Sequence, residues 1–182
     1  MAAFALVAEA IAIANGDVPA SAAPEFWAGV MNGFQQPDSA TADANKALVE
    51  ECFLADQKMA DIQATMIKEL ADNHFIKFFA DVKRYEAMFK TDFQPCRDDA
   101  KYAEIVKAKD YQGKIEEQCR TDPQKKDKMD EVVAKYGDQL KTEFKDLSTK
   151  WSSGQYYEAG LVFGLIEAQV YEPWTNPSLA NF

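Results

Sequence analysis

One short phrase occurs near both ends of the chain: Phe26-Trp27-Ala28-Gly29-Val30-Met31-Asn32-Gly33 and Tyr157-Glu158-Ala159-Gly160-Leu161-Val162-Phe163-Gly164, each reading aromatic-x-Ala-Gly-x-x-x-Gly. Residues four apart share one face of an α-helix, so each glycine pair clears a strip of helix surface and lets a second backbone come close. The aromatic three residues earlier covers the adjoining turn. Because the Ala-Gly step recurs in the same register, the phrase predicts two helices built to pack together, within one molecule or between molecules. It describes architecture rather than chemistry.

Little else in the sequence spells a reaction. Acidic residues outnumber basic ones 30 to 20, and the resulting formal charge of -10 opposes binding to nucleic-acid phosphates or anionic lipid. There are three cysteines and a single histidine, and no H-E-x-x-H, Cys-x-x-Cys, EF-hand, P-loop or GxGxxG spacing occurs. The expectation is therefore no metal, no cofactor and no nucleic-acid partner. An apolar content of 47% argues against general disorder, and 182 residues are enough to bury a core.

Residues 2–14 are apolar except for Glu9, and Pro19-Ala20-Ser21-Ala22 supplies small residues of the kind a signal peptidase accepts. The segment 1–22 is thus either a secretory signal or an Ala-rich packing helix with Phe4, Val7, Ala8 and Ile11 on one face, ended by Asn15-Gly16. The apolar run of about 14 residues is too short to span a bilayer, so no stable membrane insertion is expected.

From Pro24 onward the apolar period is helical. A first helix runs through Phe34 and stops at Gln35-Gln36-Pro37-Asp38. Between Thr41 and Asn73 the positions Leu48, Cys52, Ala55, Met59, Ile62, Met66 and Leu70 step by four and three, with a second stripe of Val49, Phe53, Ala60 and Ile67; this predicts one long bundle helix. An aromatic-faced helix follows along Phe75, Phe78, Phe79, Val82, Tyr85 and Phe89, and Pro95 is expected to restart a helix that Gly113 bends or breaks. Asp122-Pro123 reads as an N-cap with proline at the first helical position, opening a helix to Trp151. Ser152-Ser153-Gly154 makes a turn, and the second glycine helix runs to about Tyr171. No alternating strand pattern appears, so the fold class is all-α: a compact bundle of five to seven helices over 23–171.

The candidate sites are few. Cys96 and Cys119 enclose a charged, weakly apolar stretch where a disulfide would contribute about 3 kcal/mol, and Cys52 on the buried seam can equally partner either one; the odd cysteine is then a free buried thiol or an intermolecular bridge, and the alternative is that all three are reduced, as in an intracellular protein. A nucleophilic Cys96 would need His74 as its base, and a capping or surface role suits His74 better. Pairs such as Glu50-Glu51, Asp98-Asp99, Glu116-Glu117 and Asp130-Glu131 point about 100° apart on a helix and read as solvated faces, as does the mixed-charge run around Lys125, Lys126 and Lys128. Met59, Met66, Phe75, Phe79 and Phe144 offer a lining for an apolar ligand, although such stripes also make ordinary cores. Residues 172–182 hold two prolines and no period, which predicts an extended tail whose Trp174, Leu179 and Phe182 dock on the body or on a neighbour.

Phe26, Gly29 and Gly33, then Tyr157, Gly160 and Gly164, with Cys52, Cys96 and Cys119 between them, resemble a diffuse group of small secreted helical proteins of ciliates. In these, aromatic-x-x-Gly-x-x-x-Gly phrases stand near both ends around central cysteines. The resemblance implies an extracellular or secretory-granule component with disulfides and supplies no catalytic residue. The role expected is a secreted, non-catalytic structural protein that self-associates as an oligomer or polymer, in a filament or surface layer. The alternative is a secreted carrier of a lipid or other apolar ligand.

Overall fold

The computed structural model describes the backbone of residues 18–53, 55–71 and 74–171, and the side chains of Phe75, Phe78, Phe79 and Cys119 are among those outside that description. Seven α-helices form among the described residues: α1 Ala22–Gln35, α2 Ser39–Cys52, α3 Gln57–Ala71, α4 Phe75–Arg97, α5 Ala103–Thr121, α6 Pro123–Ser152 and α7 Tyr156–Val170. A single 3-10 turn, Ala100–Tyr102, precedes α5. No strand occurs among the described residues, so the all-α class holds. The segments 1–17 and 172–182, with Trp174, Leu179 and Phe182, lie outside the described residues.

Aspartates set several of the helix starts by accepting a backbone N–H that no earlier turn can satisfy. Asp38 accepts from Thr41 N at 2.9 Å, and this bond holds its carboxyl below the usual range. Asp122 accepts from Gln124 N at 3.0 Å with Pro123 in the first turn of α6, as the sequence predicts. Gln36 ends α1 in the left-handed conformation at φ 50°, its N–H returned to Asn32 O at 2.8 Å.

Three local expectations are corrected. The single helix expected over 41–73 is two, because Phe53 leaves α2 with extended backbone and Asp56 starts α3 anew, accepting from the N–H of Lys58 and Met59. Pro95 does not restart a helix; it lies in the last turn of α4, which ends two residues later at Arg97. Gly113 neither breaks nor bends α5 out of helical pairing, and the reversal falls instead at Asp122, which caps both α5 and α6.

The core is a relay of aromatic rings running from α7 and α6 across α1 to α4. Tyr156 packs on Trp151 at 4.9 Å between centroids, and Trp151 meets Phe26 edge-on at 5.5 Å. On the next position of α1, Trp27 stacks on Tyr85 at 5.8 Å and packs on Phe89 at 4.6 Å. Phe53 and Phe93 close the far end, each within 5.5 Å of its neighbour. Edge and offset ring packing of this kind adds roughly 0.5–1.5 kcal/mol per pair beyond the burial of area.

Helices α3 and α4 form a hairpin, joined at its middle by a buried bond from Gln63 Nε2 to Tyr85 Oη of 2.7 Å. Toward its two ends, carboxylates face one another: Glu69 near Asp81, and Asp92 near Asp56. Burial first, then the neighbouring acid, raises both the Glu69 and the Asp92 carboxyls above the ordinary range, with Lys77 and His74 partly offsetting this at Glu69. A raised folded value means that the native state binds protons more tightly than the unfolded chain. The resulting destabilisation is absent below the unfolded carboxylate value and complete once pH has risen through the folded one. Asp92→Asn is therefore expected to raise the Tm by about 1–3 °C at neutral pH and to change nothing near pH 3, as followed by circular dichroism. Equal melting at neutral pH would contradict this account of the hairpin.

Candidate functional site

The two glycine phrases meet. Helices α1 and α7 run parallel, with Gly29 set against Gly160 and Gly33 against Gly164. At each glycine a carbonyl oxygen of the other helix occupies the space that a Cβ would need: Tyr157 O at Gly29, Leu161 O at Gly33, Phe26 O at Gly160 and Val30 O at Gly164. The Cα–H of each glycine is thereby aimed at a carbonyl, the weak hydrogen bond that recurs where helices touch backbone to backbone. Leu161 N would lie 2.7 Å from a Cβ on Gly29, and Phe34 N would lie 2.7 Å from one on Gly164, so neither could be relieved by turning a side chain.

The arrangement has a local two-fold character. Each glycine meets the carbonyl three residues before its counterpart on the other helix, and this holds in both directions. The aromatics extend the symmetry. Phe26 packs on Phe163 at 5.9 Å, and its counterpart Tyr157 reaches Asn32, which holds the position on α1 equivalent to Phe163. Within one molecule, the two helices therefore use equivalent faces.

Asn32 is the residue that sequence reading missed. Only 3% exposed, it donates through Nδ2 to Ala42 O at 2.8 Å and to Tyr157 Oη at 2.9 Å, and its Oδ1 accepts from Asn45 Nδ2 at 3.3 Å. One amide thus fastens α1 to both α2 and α7. The available signal was a polar residue on the apolar, glycine-bearing face of α1, where burial demands partners. Lys46 lies 4.4 Å over the Tyr157 ring and covers its outer side.

Of the three cysteines, Cys52 and Cys96 are bonded, with Cα atoms 5.7 Å apart. The bridge pins the end of α2 to the end of α4. Cys96 stands in the last turn of α4 rather than near a helix N-terminus, and at 2% exposure with its sulfur bonded it carries no free thiolate. His74 is exposed and makes no side-chain cap to α4. The Cys119 side chain lies outside the described residues.

Of the carboxylates named in pairs, Glu51, Asp98, Asp99, Glu117, Asp130 and Glu131 are exposed. Glu51 pairs with Lys101 and Glu50 with Lys46, while Asp99 caps the 3-10 turn by accepting from Lys101 N. Among the described residues no three His, Cys, Asp or Glu side chains are grouped to hold a metal, and no helix is long and apolar enough to cross a membrane. Met59 is buried in the core and Met66 packs against it. Two hollows among the described residues are open to solvent: one of about 520 Å³ beside Lys90, Gln94 and Pro95, the other of about 350 Å³ between Gln36, Glu143 and Leu165.

The arrangement can hold two backbones in tight register and present one face twice. No family model matches the chain, and no curated protein or solved structure shows significant similarity to it.

Proposed function

We propose that the protein is a secreted, non-catalytic structural subunit whose copies associate with one another. The observation that carries this reading is the equivalence of the α1 and α7 glycine faces. A helix that docks on its own partner in parallel register can dock in the same way on the partner helix of a second copy, and repeated exchange gives closed pairs or open chains according to whether the rotation closes. The Cys52–Cys96 bridge suits an oxidising compartment. Negative-stain electron microscopy with and without reductant is the direct test. Filaments or sheets that survive reductant support assembly by packing, and uniform small particles at all concentrations argue against it.

The joint that would open is the turn between α6 and α7, where Ser153, Gly154 and Gln155 are exposed and Gly154 has φ +77°. A Cβ at Gly154 meets nothing within 4 Å, so Gly154→Ala acts through the backbone alone. Alanine disfavours the left-handed turn by about 1 kcal/mol and favours α6 running straight on into α7. The expected result is a roughly fivefold shift toward larger species by size-exclusion chromatography with light scattering. An unchanged distribution removes α7 exchange from the proposal.

A further inference from the structure

Lys109 of α5 is placed where an external cation would be at home. Its Nζ lies 4.2 Å from the Trp27 ring centre and 5.1 Å from that of Phe89. Those two rings are 4.6 Å apart and inclined at 50°, so they form a V-shaped notch between α1 and α4. Tyr85 stacks on Trp27 at 8° and fixes its plane. The ammonium donates to Gln112 Oε1 at 3.2 Å, and Gln112, 2% exposed, donates from Nε2 to Glu167 Oε2 on α7. Two aromatic faces, one amide oxygen and a carboxylate one amide away match the needs of a compact alkylammonium group.

Helix α5, which delivers Lys109, is lightly held. Among its described side chains only Ile105, Gln112 and Ile115 are buried, and its links to neighbours include the partly exposed Arg97–Asp110 pair. Elements with few buried apolar contacts open at a fraction of the global unfolding free energy. With Lys109 over them and the neighbouring rings around them, Trp27 and Phe89 are each only 8% exposed.

We propose that the notch between Trp27 and Phe89 is a binding site for a methylated or quaternary ammonium group, occupied by Lys109 until α5 lifts. It stands independently of self-association. The test uses the full chain, with choline as probe and 3,3-dimethylbutan-1-ol as its uncharged isostere, read by Trp27 indole NMR shifts. Lys109→Ala is expected to bind choline at millimolar concentration, at least tenfold more tightly than the wild type and at least tenfold more tightly than it binds the isostere. Equal binding of the two probes, no choline binding by a variant of native helicity, or wild-type binding as tight as that of Lys109→Ala would each overturn the site. Should the variant not fold, the wild-type protein decides. After reductive methylation with ¹³C formaldehyde, the dimethyl signal lost in Lys109→Arg is expected upfield of the other lysines through ring currents. A Lys109 signal among the exposed lysines would overturn the site.

Discussion

Gly160→Val is expected to lower the Tm by about 10 °C or more while Gly113→Ala and Gly137→Ala leave it unchanged or raise it. At Gly160 the added carbon falls on Phe26 O and within 3.0 Å of Gly29 Cα, so the cost is backbone against backbone. Overpacking that side chains can absorb costs roughly 1–3 kcal/mol; here whole helices must separate, and 3–5 kcal/mol is the reasonable scale. For a chain of this size each kcal/mol moves the Tm by about 2–4 °C. Gly113 and Gly137 meet nothing within 4 Å and lie inside helices, where alanine is favoured over glycine by about 1 kcal/mol. The pseudo-two-fold makes a further demand. Gly29→Val should cost about as much as Gly160→Val, and the double variant should cost well below the sum, because either substitution alone already forces the helices apart. Equal tolerance at Gly160 and Gly137, measured by thermal denaturation, would contradict the interface.

Opening the Cys52–Cys96 bridge is the second large effect. The bond spans 44 positions, and in the chain-entropy description a loop of that length stabilises the fold by about 4 kcal/mol. Replacing both cysteines by alanine is therefore expected to lower the Tm by about 10 °C and the midpoint in guanidinium accordingly. At 4% and 2% exposure, Cys52 and Cys96 should resist reductant in the native state and yield to it only as the protein opens. Thiol titration of the unreduced protein provides the check: free thiols at Cys52 and Cys96, or a double variant that melts with the wild type, would refute the bond.

How far the sequence revealed this structure depends on whether a signal was local. The glycine phrases could be read because the requirement they meet, a side-chain-free strip, is written at a fixed spacing on each helix. Asp122-Pro123 could be read because a cap needs only its own next residues. The break between α2 and α3 was hidden, since the apolar step of four and three carries on through Cys52, Ala55 and Met59 as though the helix did; Asp56 was the overlooked start signal. Pro95 was ambiguous in principle, because a proline near a helix end says where the helical hydrogen bonding is interrupted and leaves the side open. The bonding of Cys52 to Cys96, the amide of Asn32 and the lodging of Lys109 between Trp27 and Phe89 depend on residues far apart in sequence, and no window along the chain contains them together.

The pairing of α1 with α7 also fixes a timetable. About 130 residues separate the two glycine faces, so at roughly 5–20 residues per second the ribosome delivers α7 some 7–26 s after α1. Throughout that interval the glycine face of α1 lacks the partner it meets in the finished chain. Helical hairpins form in far less time, so the middle of the molecule is complete while its first helix still waits. A neighbouring nascent chain further along the same message already has its α7. Belonging to the same chain gives its own α7 an advantage in effective concentration that dilute solution cannot match. Under the self-association proposed above, whether a copy closed on itself or on its neighbour would be set by the rate and density of synthesis as much as by the strength of the contact.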